Sequence, residues 1–403
     1  MFRTLYASLL LALVSLPSVG AAQPYTSSTL AQPDAYAYTG IMGSPGATMH
    51  AGQLHVFYGM NEIFRDSWSG EYSSRAHTYF TVTGSGGTST SSIGSYRQSW
   101  TALDEGNAVS QFFIRNTGLV GFNYDVLSRY RKVDGSQNWV LSTIDGGIEG
   151  DVVSGGALTH MSNAIKAVMY AGQPHVFYVG RSCGCMRHAW WDPSANRWNY
   201  EILDGEGGAD GRISTELATD FSAIDAVVAG NQIHLVYIDS TNSKVRHAFY
   251  TGAGWLFETI PSSRQYGQSV SVTMYGGDPL IVADDTTLHD LVSIRPNSIG
   301  GWIETVLDGD GAWHGLYLEN KATDSAVGRA RAMTYGGKLH VFYISVGKAK
   351  HMETDFSTFR YLELPSSVTG GASATLPVPY VDAAGKLNSV YANGPLLFNV
   401  RLD

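Results

Sequence analysis

Paired histidines are the groups in this chain whose type and spacing most readily suggest chemistry. Four phrases begin with one: His55-Val-Phe-Tyr58, His175-Val-Phe-Tyr178, His234-Leu-Val-Tyr237 and His340-Val-Phe-Tyr343. In three of them a second histidine follows a short polar turn, giving His175 with His188, His234 with His247 and His340 with His351. Residues placed symmetrically about a hairpin turn face each other, so each pair should meet across two antiparallel strands. Two facing imidazoles could begin a zinc site, but a closed site needs about four ligands, and no repeated carboxylate is evident beside them. A feature copied from unit to unit points first to structural hydrogen bonding and second to ligand contact.

The second histidine sits in a basic, aromatic setting, Arg187-His-Ala-Trp-Trp191 and Arg246-His-Ala-Phe-Tyr250. An exposed indole or phenol ring is a stacking surface for a sugar, and a neighbouring guanidinium offers forked donors to its hydroxyls. Arg187, His188, Trp191, Arg246, His247 and Tyr250 are therefore the candidate ligand-binding residues, with packing between repeats as the competing use of the aromatics.

Carboxylates cluster after Ile144-Asp-Gly-Gly147, Leu203-Asp-Gly-Glu206 and Leu307-Asp-Gly-Asp310, where long connections follow. Asp204, Glu206, Asp308 and Asp310 could supply hard oxygens to calcium, although Asp-Gly is also favoured by turns. Such an acidic rim suits a neutral or cationic ligand better than a sulfated polymer. A polysaccharide lyase would need a base beside a cation that neutralises a uronate. His160 with Arg212, or His314 with Arg329, meets that requirement by residue type. A glycosidase would need two carboxylates across a pocket, and no motif selects a pair. Nucleophile elbows, zinc-protease helices, phosphate loops and dinucleotide fingerprints are absent from the sequence.

These groups must be positioned by a repeat. Each histidine-led phrase follows a short apolar segment, such as Ala167-Val-Met-Tyr-Ala-Gly172, and precedes the basic, aromatic segment. A Trp-led strand then closes the unit: Trp198-Asn-Tyr-Glu-Ile-Leu-Asp204, Trp255-Leu-Phe-Glu-Thr-Ile260 and Trp302-Ile-Glu-Thr-Val-Leu-Asp308. Every unit reads as four short strands separated by turns. Degenerate copies at Leu119–Tyr124, Pro279–Ala283 and Lys386–Tyr391 complete a series anchored near 55, 120, 175, 234, 281, 340 and 388. Seven units of roughly 55 residues predict an all-β, seven-bladed β-propeller of four-stranded antiparallel blades. The last unit has three strands, near Thr375–Tyr380, Lys386–Tyr391 and Leu396–Leu402, so a segment near the N-terminus should supply the fourth. Ala35-Tyr-Ala-Tyr-Thr39 is the expected closing strand. The Gly/Ser/Thr-rich run Thr81–Ser95 reads as a hairpin excursion within the first unit.

Residues 1–22, with Arg3, an apolar core from Leu9 to Leu16 and a small-residue end, have the form of a secretory signal peptide, leaving residues 23–403 as the propeller. That places the chain in a secreted or periplasmic setting. Export favours a disulfide between Cys183 and Cys185, although so short a loop gains little from closure. The formal charge of −9 becomes −10 without Arg3, and no basic tract offsets it. Nucleic acid and anionic membranes are accordingly poor partners, and no later stretch is long enough for a membrane span.

The order His-Val-Phe-Tyr, Arg-His-Ala-Trp-Trp, Trp-x-x-Glu resembles the repeats of secreted bacterial propellers with the same wording. In layout the unit is also similar to the fungal fucose-specific lectins. That resemblance implies a propeller and sugar binding. In the lectins an Arg on the second strand and a Glu on the third hold the sugar, and here those positions carry His175 and His188, or His234 and His247. The leading expectation is a carbohydrate-binding propeller without turnover. A glycan-cleaving enzyme with one site on the long-loop face is the alternative, and a protein-binding scaffold the third reading.

Overall fold

The computed structural model describes residues 25–31, 38–65, 72–84, 87–95, 100–116, 125–136, 138–146, 161–180, 184–205, 223–309, 329–345, 347–366, 374–393 and 396–402. These form seven antiparallel sheets of four strands, arranged as a seven-bladed β-propeller. Blades 1 to 6 use residues 38–95, 100–146, 161–204, 224–259, 266–308 and 330–363 in chain order. Blade 7 joins Val378–Val381, Leu387–Asn393 and Leu396–Leu402 to the N-terminal strand Tyr25–Ala31, which pairs with the last strand from Tyr25↔Leu402 onward. No helix among the described residues is long and apolar enough to cross a membrane.

Closure therefore uses both termini, as expected, but the closing strand lies upstream of the predicted one. Tyr38 already belongs to the first strand of blade 1, Tyr38–His50. Two other expectations are corrected. The second strand of blade 2 is Ala108–Asn116, whereas 117–124, which holds the predicted copy, lies outside the described residues. Its Phe112 and Phe113 are the buried residues that a search for the histidine-led phrase passes over. The run Thr81–Ser95 is no excursion, because it forms parts of Tyr72–Gly84 and Gly87–Ser95, the third and fourth strands of blade 1. Thr and Ser satisfy the period of a strand even where they carry little hydrophobic signal.

An apolar cluster fills each of the seven seams between neighbouring blades, because every blade buries both faces. Near the axis the first strands of adjacent blades run against one another, and their edge amides find acceptors in the preceding blade. Ser269 Oγ, Ser271 Oγ and Thr273 Oγ1 of blade 5 accept from Ala330, Ala332 and Thr334 N of blade 6 at 2.9, 2.9 and 3.0 Å. This two-residue rhythm follows from the alternation of strand side chains, and it caps edges that would otherwise stay unpaired.

The Asp-Gly phrases form a second tie. Each Asp ends the fourth strand of one blade and accepts from the tyrosine of the histidine-led phrase in the next: Tyr178 to Asp145 at 2.5 Å, Tyr237 to Asp204 at 2.5 Å, Tyr343 to Asp308 at 2.7 Å. The other carboxylate oxygen accepts the amide of the following glycine. At Gly205 the backbone has φ +101°, and a Cβ there would lie 2.6 Å from Cys185 Cα, so glycine is required on both counts. Burial, and then the facing carboxylate, pushes each of these phenols well above its ordinary range. Where Pro replaces Asp, after Leu364, Tyr391 donates to the Pro365 carbonyl instead.

Removing the hydroxyl leaves a buried carboxylate short of a donor, and such groups cost more than neutral ones. Tyr237→Phe and Tyr343→Phe should each lose about 2 kcal/mol in urea denaturation, while Tyr391→Phe, facing a neutral carbonyl, should lose about 1 kcal/mol. Equal losses across the three would contradict the latch.

Candidate functional site

Alternation along the third strand separates the predicted ligand residues. In blade 3, Arg187, Ala189 and Trp191 face blade 2, whereas His188 and Trp190 face blade 4, since successive side chains point to opposite faces. The same split divides Arg246 and Tyr250 from His247 in blade 4. Arg187 and Arg246 are buried at the inner end of their seams. Arg246 donates to Asp204 Oδ2 through Nε at 3.1 Å and Nη2 at 2.9 Å, and to Thr259 at 2.6 Å. Arg187 lies 3.5 Å from Asp145, and its Nε and Nη1 make no hydrogen bond with any described residue. Both guanidiniums thus serve the Tyr–Asp latch. Tyr250 packs within 5.7 Å of Tyr170 and 5.2 Å of Trp255. Of the six residues, Trp191 is the half-buried aromatic that lines open space.

The histidine pairs meet as expected. His175 Nδ1 lies 2.9 Å from His188 Nε2, His234 Nδ1 3.1 Å from His247 Nε2, and His340 Nδ1 3.0 Å from His351 Nε2. The repeated carboxylate that the sequence concealed is Glu201 or Glu258, directly across the sheet from His188 or His247. Each accepts from histidine Nδ1 at 2.8 Å. The next blade's Trp255 or Trp302 adds an indole donor at 3.1 or 3.3 Å. A carboxylate only accepts, so His188 and His247 carry their proton on Nδ1, and the second-strand histidine donates to their Nε2. In blade 6 the position opposite His351 is Leu362. There His340 Nε2 must donate to the Tyr335 carbonyl, 3.2 Å away, which reverses the direction of the pair.

Burial, followed by the partner imidazole, lowers His175 to about 3 and His234 to about 4. His351 is held well below the usual range by burial and by His340. Bases this weak are neutral at physiological pH and serve as fixed donors and acceptors. His50 behaves oppositely. Burial lowers it, but hydrogen bonds to Asp104 at 2.8 Å and Asp134 at 2.7 Å outweigh burial and leave it raised.

Blade 2 breaks the repeat. Register places Arg129 opposite Phe112 where blade 3 has His188 opposite Phe177, and Ser110 takes the place of His175. Arg129 donates to Ser110 Oγ at 3.1 Å and pairs with Glu105; Arg131 donates to the same carboxylate at 2.8 Å. Glu105 occupies the residue before the first hairpin turn, from which blades 1, 3, 5 and 6 reach across the seam; blade 4 has Ala229 there, and blade 7 has Asp382, which bonds within its own hairpin. His50 reaches Asp104 and Asp134, Tyr170 reaches the Asn231 carbonyl, Tyr275 packs on Phe356, and Tyr335 reaches the Gly385 carbonyl. Glu105 instead turns back onto its own blade. With no bridge, the seam between blades 2 and 3 opens as a groove of about 740 Å³.

Val133, Val140, Ser142 and Thr143 form one wall of this groove; Trp191, Trp198, Asn199 and Tyr200 form the other, with Arg129, Arg131 and Arg197 around them. A second cavity of about 270 Å³ shares Arg129, Arg131 and Trp191, so open space continues past the Trp191 ring. Trp198 is buried, 5.6 Å from Trp191 and beneath the Arg129 guanidinium at 5.8 Å. That packing holds the Trp191 ring upright at the mouth. The sequence signal was available in Arg129-Tyr-Arg131, a basic pair where other units have histidine or aromatics.

Other candidates fall elsewhere. Asp204 and Asp308 are enclosed in separate blade ends, with oxygens engaged by tyrosine and amide donors. No group of three or more His, Cys, Asp or Glu among the described residues could hold a metal ion. Glu206, Asp310, His160, Arg212 and His314 lie outside the described residues, and Arg329 is exposed at the start of blade 6. Cys185 is in a disulfide, and Cys183 is the chain's one other cysteine. At the axis, Asp225 draws together Lys166 at 2.6 Å, Ser271 at 2.6 Å and Arg331 at 3.8 Å from four consecutive blades, a tie that the repeat does not announce.

No family model matches the sequence, and no curated protein does. The architecture is similar to a polysaccharide lyase, Uly1, at 9% identity and TM-score 0.53, over 90% of each chain. The β-propeller domain of the Trilobed protease of Pyrococcus furiosus gives 8% identity and TM-score 0.49, over 90% of this chain and 94% of that one. The NanB sialidase of Streptococcus pneumoniae gives 9% and 0.42, over 95% and 71%. At 9% identity the similarity to the lyase shows the fold alone.

Histidines whose folded pKa is lowered bind protons in the unfolded chain first, so folding stability should fall as pH drops below 6.5 toward 4. Each of His55, His175 and His234, lowered to about 4, 3 and 4, should contribute about 1.4 kcal/mol per pH unit over that range. His50, raised, should act in the reverse sense, losing its contribution as pH rises through its folded pKa. Urea midpoints measured from pH 4.5 to 8 check both limbs. His175→Asn keeps a donor near Nδ1 and should flatten the acid limb; an unchanged slope would contradict this assignment.

Proposed function

We propose that this chain is an exported carbohydrate-binding propeller whose site is the groove between blades 2 and 3. The observation that carries the reading is the half-buried Trp191 ring beside the uncommitted guanidinium of Arg197, in a cavity of about 740 Å³. That volume lies in the range of pockets that hold small ligands. An indole face stacks on the apolar face of a pyranose, while Arg197, Asn196, Asn199 and Ser142 meet its hydroxyls. The architecture shared with a polysaccharide lyase is compatible with such a ligand. Among the described lining residues Glu105 is a lone carboxylate, clasped by two arginines, so these residues equip the groove to bind.

At the equivalent seam between blades 3 and 4, Tyr170 fills the crevice against Tyr250 and Trp255. The groove is therefore not repeated at that seam. Export is supported by the oxidised Cys185, since disulfides persist in oxidising compartments.

Trp191→Ala should weaken binding to a responsive glycan on an array by roughly tenfold or more, the scale of a lost ring contact, with little change in Tm. Trp198→Ala, which empties a buried site, should instead lower stability by about 3 kcal/mol. Glycan binding that survives Trp191→Ala unchanged would remove the groove from consideration.

A further inference from the structure

From the charge of this groove we infer that its ligand is an anionic polysaccharide, one carrying carboxylate or sulfate groups; the inference rests on the carbohydrate reading above. The chain as a whole is acidic, at −9, yet the larger cavity is lined by Arg129, Arg131 and Arg197 with no Asp or Glu among its described residues. Glu105 enters at the smaller cavity and offsets one of the three cations. Local charge thus opposes that of the protein around it, and opposite-sign clefts concentrate matching ligands.

The three guanidiniums have different duties. Arg129 is committed to Ser110 and Glu105 and lies over Phe112 and Trp198 at 5.7 and 5.8 Å. It is part of the wall. Arg131 gives Nε to Glu105 and Nη2 to Asn107 at 3.2 Å, leaving Nη1 for a ligand. The Arg197 side chain is exposed, and its guanidinium makes no hydrogen bond or ion pair with any described residue. A planar fork with all donors available, next to a sugar-stacking ring, matches a carboxylate or sulfate better than a hydroxyl, because ionised acceptors make the stronger bonds. Arg131 and Arg197 stand on opposite walls, one from each blade, with Trp191 adjoining both cavities. A polymer lying along the seam would present a ring to Trp191 and acidic substituents to either side.

The test compares polymers that share a backbone and differ in charge: polygalacturonate against its methyl-esterified form, and dextran sulfate against dextran, with alginate as a second uronate polymer. Binding is measured by calorimetry at about 50 and 300 mM NaCl, where screening separates charge from stacking. Expected are at least tenfold tighter binding of a charged polymer than of its neutral counterpart, a preference that shrinks with salt, and loss of most of it in Arg197→Gln. The uronate and sulfate arms then identify which anion is read. Neutral and charged forms bound equally, with Trp191→Ala abolishing both, would overturn the anionic inference and leave the carbohydrate reading standing. Charged polymers held without regard to Trp191→Ala would mean diffuse attraction and would also overturn it. Failure of every polymer to bind, neutral or charged, would overturn both.

Discussion

Each blade is a thin sheet that buries both faces, so the seams between blades are the constraint from which the rest of this molecule follows. Seven apolar clusters fill them, and polar groups fix their alignment at three depths. Near the axis, hydroxyls cap the edge amides of the next blade. At the blade ends, tyrosine meets the Asp-Gly carboxylate. At the opposite blade ends, the residue before the first hairpin turn reaches across from blades 1, 3, 5 and 6. Apolar burial supplies most of the stabilisation, but it is non-directional; the hydrogen bonds decide register and spacing.

The histidine pairs show how a reactive residue type is made structural. Burial lowers their basicity, and stacking against Phe177 or Trp190 at 4.7 and 4.9 Å leaves little room for a substrate at His188. What remains is a neutral ring with one donor and one acceptor, oriented by whichever neighbour cannot change role. Glu201 and Glu258 set one direction; the Tyr335 carbonyl sets the other. Because the indole of the following blade also binds each glutamate, the chain of bonds continues across the seam. Imidazole suits this task since its two nitrogens lie on opposite sides of a flat ring, which lets one residue connect two strands within a packed sheet.

Architecture was legible because the repeat is periodic in both phrase and strand. The errors came where periodicity is weak. Tyr25–Ala31 is polar enough to pass as a tail, and Ala108–Asn116 lacks both His and Tyr. Glu201 was visible in Trp198-Asn-Tyr-Glu201, but its role depends on a register across three strands that a linear reading does not supply. One residue fewer between Trp302 and Glu304 puts that glutamate opposite Ile294, where it accepts from Tyr266 at 2.6 Å instead. Pairing Arg187 with His188 as one site failed for a simpler reason. Adjacent strand residues face different seams.

A symmetric ring offers the same surface seven times, so a distinctive site requires that one seam depart from the rule. Blade 2 makes that departure through linked replacements: Glu105 for the bridging tyrosine, and Ser110 with Arg129 for the histidines. Neither of the charged replacements would be tolerable alone. Arg129 without Glu105 would be a buried cation lacking its partner, and Glu105 without the arginines would be a carboxylate held against an apolar seam, each a costly arrangement. Together they satisfy one another inside blade 2 and withdraw the side chain that reaches across the seam in blades 1, 3, 5 and 6. Blade 3 keeps Trp191, which now lines open space, while Trp198 stays buried beneath Arg129 and against the Phe112 ring of blade 2. The groove therefore arises from replacements within the strands: an aromatic ring built for packing lines open space when its partner turns away, and the arginines that compensate the change supply part of the groove's charge.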